Sequence, residues 1–318
     1  MTEVVVGIDI GGTNTAFGIV DHKGKCLIKN EIETRSQQPC NKFFDRLFSS
    51  LQEMFKDHEY QIKGIGIGAP NGNYYTGKIE NPPNLKWGNV NLVEMVKKYY
   101  NVPIVVTNDA NAAALGEMKF GAARKMKNFI LITLGTGLGS GIVVNGELLY
   151  GHDGFAGELG HVIVEKNGRL CGCGRRGCLE TYASATGIRR TAFEKLAEYD
   201  EDSLLRHISC AELTARTIYE FARKGDRIAI ECFNYTGKIL GEALADAVAY
   251  LSPEAIIIFG GLAKSGDLLL NPVREHYEKN VLNIFKNKVK IMTSQLKSDE
   301  AAILGAGALI WHEMNHRK

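Results

Sequence analysis

Apolar positions in the first third of the chain form short β-branched runs, each stopped by glycine or a polar turn. Val4 to Ile10 breaks at Gly11-Gly12, Ala16 to Val20 resumes the run, and Asp21-His22-Lys23-Gly24 leads to a third segment from Cys26. This punctuation predicts three antiparallel strands joined by tight turns. Phe44, Leu47, Phe48, Leu51 and Phe55 then recur at helical spacing. A strand at Ile62 to Ile67, a helix at Leu92 to Tyr99 and a strand at Ile104 to Thr107 follow. The series then restarts. Phe129 to Leu134 predicts a strand broken at Gly135-Thr136-Gly137, Gly139 to Val144 resumes it, and Asn145-Gly146 is a hairpin signal. Helical stretches are expected at about 182–198, 211–223 and 227–250. Strands at Ala255 to Phe259 and Val289 to Met292 and a last helix from Glu300 complete the pattern.

The chain therefore reads as two α/β halves, each opening with a glycine-broken hairpin, and 318 residues are enough for both. The crossover is expected at Asn108–Asp109, with the C-terminal helix returning to the first half. Residues 1–108 plus about 300–318 form the expected small domain, and about 109–299 the large one with the cysteine-rich loop. No Pro/Ser-rich linker separates them, so close packing with a ligand cleft between the domains is the expectation.

Composition narrows the class. Hydrophobic residues at 45% and charged residues at 23% are ordinary for a soluble globular protein. A net charge of +2, with acids and bases interspersed, gives no electrostatic footprint for nucleic acid. The N-terminus does not fit a signal peptide, and no apolar stretch approaches the ~20 residues of a membrane span. Seven cysteines, three of them crowded into one loop, point to reduced thiols and a metal, hence to the cytoplasm.

Four motifs carry chemistry. Asp9-Ile10-Gly11-Gly12-Thr13-Asn14 ends a predicted strand, where glycines admit a phosphate to the backbone and Asp9 is placed to hold a magnesium-bound water. Leu134 to Gly141 repeats the arrangement around Gly135, Thr136 and Gly137. A plain β-turn explains one such site; two at matching places make phosphate binding the better reading. Neither fits a P-loop or a dinucleotide fingerprint. Asn108-Asp109 opens a helix, so either residue serves as its cap, and Asp109 is equally suited to act as a general base toward a hydroxyl. Gly260-Gly261 and Gly305-Ala306-Gly307 admit either a flat adenine or a close helix contact.

The fourth motif is the most specific. His161 and Cys171-Gly-Cys173-Gly-Arg-Arg-Gly-Cys178 bring four soft or borderline ligands into eighteen residues, the number a closed tetrahedral zinc site needs. Free thiols or a disulfide are the bland alternatives, but Cys171 and Cys173 are too close to bridge comfortably. Glu158 and Glu180 flank the cluster as candidates for gripping a polar substrate. Cys26, Cys40, Cys210 and Cys232 are scattered and read as packing residues.

Together these pieces resemble the ROK family (repressors, open reading frames and sugar kinases) over essentially the whole chain. Asp9–Asn14 and Gly135–Gly141 match its phosphate motifs, Asn108-Asp109 its catalytic segment, and Glu158 to Glu180 its zinc and sugar signature. The resemblance implies the two-domain actin/hexokinase-like (ribonuclease H-like) ATPase fold with an inter-domain cleft. It implies an ATP-dependent kinase that phosphorylates a hexose 6-hydroxyl, glucose foremost, with magnesium accompanying ATP and a structural zinc. Fructose, mannose or an N-acetylhexosamine are the alternative acceptors, and a sugar-responsive repressor the remote alternative. With the phosphate-motif strand beginning at Val4, no room for a DNA-binding segment is expected. Asp109 would take the proton of the 6-hydroxyl, while Asn108, Glu158, His161 and Glu180 would bind the ring hydroxyls. His161, Cys171, Cys173 and Cys178 would hold zinc. Asp9, Gly11, Gly12, Thr13, Asn14, Gly135, Thr136, Gly137, Gly260 and Gly261 would line the nucleotide site, and a homodimer is implied. Many members have a glycine after the segment Gly66 to Pro70, where this chain has Asn71, a residue placed to reach the sugar. Asn84-Leu-Lys-Trp87 resembles the Asn-Leu-x-Trp segment of the family's glucokinases.

Overall fold

The computed structural model describes residues 2–56, 58–82, 84–297 and 299–316. Contacts group the chain into two compact units: Met1–Lys127, Gly141–Gly157 and Ser294–Lys318 form one, and Asn128–Ser140 with Glu158–Thr293 the other.

In the first unit the elements run β1 (Thr2–Ile10), β2 (Asn14–Val20), β3 (Cys26–Glu33), α1 (Cys40–Phe55), β4 (Tyr60–Gly68), β5 (Lys78–Ile79), β6 (Val90–Asn91), α2 (Leu92–Lys97), β7 (Ile104–Thr107) and α3 (Asp109–Phe120). The sheet has the order β3-β2-β1-β4-β7, antiparallel through the first three and parallel from β1 to β7. One face is covered by α1, whose Phe43, Phe44, Leu47, Phe48 and Leu51 are buried as the helical period requires.

The chain continues through β8 (Phe129–Leu134), β9 (Leu138–Val144), β10 (Glu147–Leu148), α4 (Ala185–Glu198), α5 (Ala215–Arg223), α6 (Arg227–Leu251), β11 (Ala255–Phe259), α7 (Asp267–Asn280), β12 (Lys290–Thr293) and α8 (Ala301–His316). The second sheet has the order β10-β9-β8-β11-β12, position for position the order of the first. The repeated hairpin read from the sequence is thus the visible part of a repeated five-stranded sheet. The division between units falls inside β9, between Ser140 and Gly141.

Several expectations shift. The whole of α3 belongs to the first unit rather than to the large domain, because it packs on α8. Gly305 lies so close to α3 that a β-carbon there would stand 2.7 Å from the Ala112 carbonyl oxygen. The other face of α8 rests on the sheet, where Gly7 of β1 and Gly66 of β4 leave no space for a side chain beneath the Ile303 and Ala306 carbonyls. The small-residue stripe 305–307 therefore serves close packing, and the adenine reading of it does not hold. Helices α4 and α5 begin three and four residues later than the apolar pattern indicated. Ser184 and Thr214 terminate the preceding loops by accepting the amides of Gly187 and Thr217. Helix α7 escaped the periodicity reading altogether: it starts without a side-chain cap and carries Pro272, which is seated on Gly237 of α6. Cys232 is buried as a packing residue, but Cys210 is exposed. No helix among the described residues is long and apolar enough to cross a membrane. Met1, Arg317 and Lys318, at the ends of the expected small domain, lie outside the described residues.

Candidate active site

In the first unit, parallel pairing sets Asp9 of β1 against Gly68 of β4, and Gly68 against Thr107 of β7. The carboxyl ends of three strands thus align, the position at which open α/β sheets bind ligands. Asn108 follows β7 as the N-cap of α3, its Oδ1 accepting the Ala110 amide at 2.8 Å, and Asp109 is the first helical residue. The capping role therefore falls to Asn108, which leaves the Asp109 carboxylate out of that account. With its oxygen committed, Asn108 keeps its Nδ2 as a donor. Gly68 sits between the Asp9 carboxylate and the backbone of Asp109: a β-carbon there would lie 3.3 Å from Asp9 Oδ1 and 3.5 Å from the Asp109 α-carbon.

Both acids are displaced toward the protonated form. Burial, then the charge of Asp109, raises Asp9 from 3.8 to about 7. Asp109 reaches solvent, but the protein around it raises its carboxyl as well, opposed by the amides of Ala110 and of Asp109 itself. A raised carboxylate is a stronger base. For Asp9 the folded chain holds a proton that the unfolded chain releases near 3.8. Stability is therefore lost as pH rises from there to about 7, and not regained above. Asp9→Asn, measured without nucleotide, should melt above the wild type at pH 8 by on the order of 1–2 kcal/mol, with a smaller gain at pH 5. Equal gains at both pH values would remove the buried charge as the cause.

The Gly11–Asn14 turn is closed by the Gly11 amide on the Asn14 carbonyl at 3.0 Å and backed by Thr34 Oγ1 donating to the Gly11 carbonyl at 2.7 Å. Gly12 has no room for a side chain, since a β-carbon would stand 2.8 Å from that of Asn84. Trp87 fixes that approach: its ring lies 4.9 Å from Phe43 and its Nε1 donates to the Gln38 carbonyl. The Asn84–Trp87 segment thus borders the turn. Thr13 is exposed and open to a ligand, whereas Asn14 spends its amide on Glu31 at 2.6 Å. Asn71 donates Nδ2 to the carbonyls of Glu80 and Asn81, so it braces that loop and retains only Oδ1 for a sugar.

The second unit repeats the theme. Register pairs Thr133 of β8 with Phe259 of β11, so Gly135–Gly137 and Gly260–Gly261 leave adjacent strands at the same end. The Gly135 amide closes on the Gly137 carbonyl at 3.0 Å. Gly260 has φ +105° and crowds the Leu134 carbonyl, which excludes a side chain on both grounds. Gly135 and Gly261 face open space.

The cysteine loop is built by short-range bonds. The Cys171 amide donates to the Arg175 carbonyl, the Gly174 amide to the Cys171 carbonyl, and the Leu179 amide to the Val162 carbonyl. All seven cysteines are free, and one ligand atom from each of His161, Cys171, Cys173 and Cys178 lies within 4.8 Å of the others. Cys173 Sγ to Cys178 Sγ is 3.6 Å, and Cys171 Sγ to His161 Nδ1 is 3.7 Å. Zinc–sulfur bonds of about 2.3 Å at tetrahedral angles require sulfurs about 3.8 Å apart, so the donor set fits that ion. Nδ1 is the His161 ring nitrogen that faces Cys171. Glu180 accepts from Cys171 Sγ at 3.1 Å with Oε1 and from the Leu138 amide at 3.3 Å with Oε2. Glu158 precedes the turn Leu159–His161, which the Ser140 hydroxyl holds by accepting the Leu159 amide.

The ROK family profile matches residues 5–313. The chain belongs to the ROK family. This ROK protein is 37% identical over 316 residues to a glucokinase of Halalkalibacterium halodurans, covering 98% of this chain and 96% of that one. A glucokinase of Thermotoga maritima is 36% identical over 309 residues, with 96% of each covered. Among solved structures, a ROK family glucokinase from Streptomyces griseus in complex with glucose and AMPPNP superposes with a TM-score of 0.82 at 33% identity, covering 96% of this chain and 98% of that chain. The two units with repeated sheets are those of the two-domain actin/hexokinase-like fold.

In this ROK protein Arg169 has a bracing role that no sequence motif marks. Its guanidinium donates to Thr181 O and Gly187 O at 2.7 and 3.1 Å, pairs with Glu194, and lies over the Tyr182 ring at 4.3 Å. Arg169 thus ties the stretch after Glu180 to α4. An isolated arginine two residues before the first cysteine carries no sequence signal for that role.

Proposed function

We propose that this protein is an ATP-dependent glucokinase, transferring the γ-phosphoryl group to the 6-hydroxyl of glucose. The observation that carries the reading is the Asp109 carboxylate, set beside Asp9 at the ends of parallel strands in a chain related over its whole length to glucokinases. Asp109 accepts the hydroxyl proton as the sugar oxygen bonds to γ-phosphorus. The bond from γ-phosphorus to the bridging oxygen breaks, and ADP leaves with that electron pair.

The remaining assignments are part of the same proposal. Asn108, Glu158, His161 and Glu180 orient the sugar by hydrogen bonds to its ring hydroxyls, Asn108 through Nδ2 and His161 through Nε2. Two oxygens of Glu180 have partners in the protein, but a carboxylate has about four acceptor positions, so capacity remains. Glycine turns 11–12, 135–137 and 260–261 receive the nucleotide, and Asp9 provides the hard oxygen suited to magnesium or its bound water. Magnesium, bound with ATP, neutralises charge on the phosphates. Zinc held by His161, Cys171, Cys173 and Cys178 would be structural, because four protein ligands leave no open position.

An assay coupled to ADP release, run across glucose, fructose, mannose, N-acetylglucosamine and N-acetylmannosamine, tests the reading. Glucose should give the highest kcat/KM. ADP formation with none of the five sugars would refute a hexose kinase, and a higher kcat/KM with another would move the acceptor.

A further inference from the structure

Glu180 stands where the cysteine loop meets the second phosphate turn. Gly137 does not occupy the left-handed region of backbone space, so its conformation alone does not call for glycine. The atoms that a β-carbon would meet there both belong to Glu180: Oε2 at 2.5 Å and Cδ at 3.6 Å. The same Oε2 accepts the Leu138 amide, the next donor along the turn.

Both ends of this contact are fixed. Glu180 lies in the short turn Leu179–Thr181 directly after Cys178, and its carbonyl accepts the Ser184 hydroxyl at 2.7 Å. On the other side of Leu138, Gly160 is packed against the carbonyl oxygen with no space for a side chain. The loop that carries His161 and Glu180 thus grips Leu138 from both its amide and its carbonyl. Ala185 at the start of α4 adds an amide to the Gly135 carbonyl at 2.9 Å.

We propose that Glu180 is a positioning residue for the Gly135–Leu138 turn, holding it in the shape that receives nucleotide phosphates, in addition to its part in sugar binding. The proposal rests on the reading that this turn is a nucleotide site. Removing the carboxylate leaves the Leu138 amide without its acceptor and frees the turn to relax. Glutamine has a carbonyl oxygen of the same reach, so it restores the acceptor while altering the sugar contact.

Calorimetric titration of MgADP into the zinc-loaded protein, without sugar, reads the effect. Glu180→Ala should bind MgADP about five- to tenfold more weakly, the loss of roughly one hydrogen bond. Glu180→Gln should bind within about twofold of wild type, while both raise the sugar KM. Wild-type MgADP affinity in Glu180→Ala, or equal weakening in Glu180→Gln, overturns the proposal. Gly137→Ala supplies an independent arm, because its methyl group must displace the Glu180 carboxylate. It should raise the sugar KM in the wild-type background and change it little in Glu180→Ala; additive losses overturn the proposal. Zinc content and melting temperature, measured for each variant, separate these effects from misfolding. Gly135→Asp places a carboxylate in open space on the turn. Unchanged MgADP affinity there refutes the nucleotide reading itself, whereas the Gly137–Glu180 cycle still reports whether the strut exists.

Discussion

Asp109→Asn should turn over glucose about 10²-fold or more slowly than wild type, with zinc content, fold and sugar affinity preserved. Asparagine keeps the size and the helix-opening position of Asp109 but accepts no proton. The neighbouring cap is Asn108, which the substitution leaves intact, so α3 should form as before. Steady-state kinetics should place the loss in kcat, with KM for the sugar close to the original. The pH profile adds a second signature. Wild-type activity should fall with decreasing pH through an acid limb displaced above the ordinary carboxylate range, because Asp109 must be ionised and its carboxyl is raised. The residual activity of Asp109→Asn should lack the Asp109 contribution to that limb. Near-normal turnover would remove Asp109 as the base. Asp9 is raised to about 7 partly by the charge of Asp109, so the wild-type limb reports the pair rather than either residue alone.

Cys173→Ser should bring the zinc content from stoichiometric toward zero and raise the sugar KM by about tenfold or more. Cys173 is exposed, so the substitution costs little packing and the effect reports ligation. The reason that sugar recognition suffers is connectivity. His161 is both a member of the donor set and an assigned sugar ligand, and Glu180 is two residues past Cys178 with its carboxylate against Cys171. Without the ion, the His161 ring loses the bond that fixes its orientation and tautomer. The first phosphate turn has its own supports in Thr34 and the Asn84–Trp87 segment, all within the other unit, so MgADP affinity should fall less than sugar affinity. Elemental analysis beside paired sugar and MgADP titrations checks this. Unchanged zinc would exclude Cys173 as a ligand, and a larger loss for MgADP than for sugar would contradict the placement of zinc on the sugar side.

Much of the site was legible in the residues themselves. A glycine pair after a β-branched run, an Asn-Asp at a helix start and a Cys-x-Cys-x4-Cys spacing each state a local requirement of backbone or ligand chemistry. Local requirements are written within a few residues of one another, which is why the strands, both glycine turns and the cluster of His161 with three cysteines are readable from the chain. The bracing role of Asn71 was not legible, because its amide is used nine and ten residues away, on carbonyls whose positions no local pattern records. The stripe 305–307 was ambiguous for a related reason: small residues fit either a ligand or a neighbouring helix, and only the presence of Gly7, Gly66 and α3 against α8 decides.

By itself, then, the sequence determined the repeated hairpins, the Asn108 cap with Asp109 beside it, and the His161–Cys171–Cys173–Cys178 cluster, because each depends on short-range geometry. Tertiary structure alone decided which unit owns α3, what the glycines of α8 are for, and that Asp9 and Asp109 share a site across Gly68. It also decided that Arg169 and Glu180 bind the cysteine loop to α4 and to the second turn. Those relations join residues between twelve and about three hundred positions apart, and chain distance carries no information about which of them the folded sheet brings within contact.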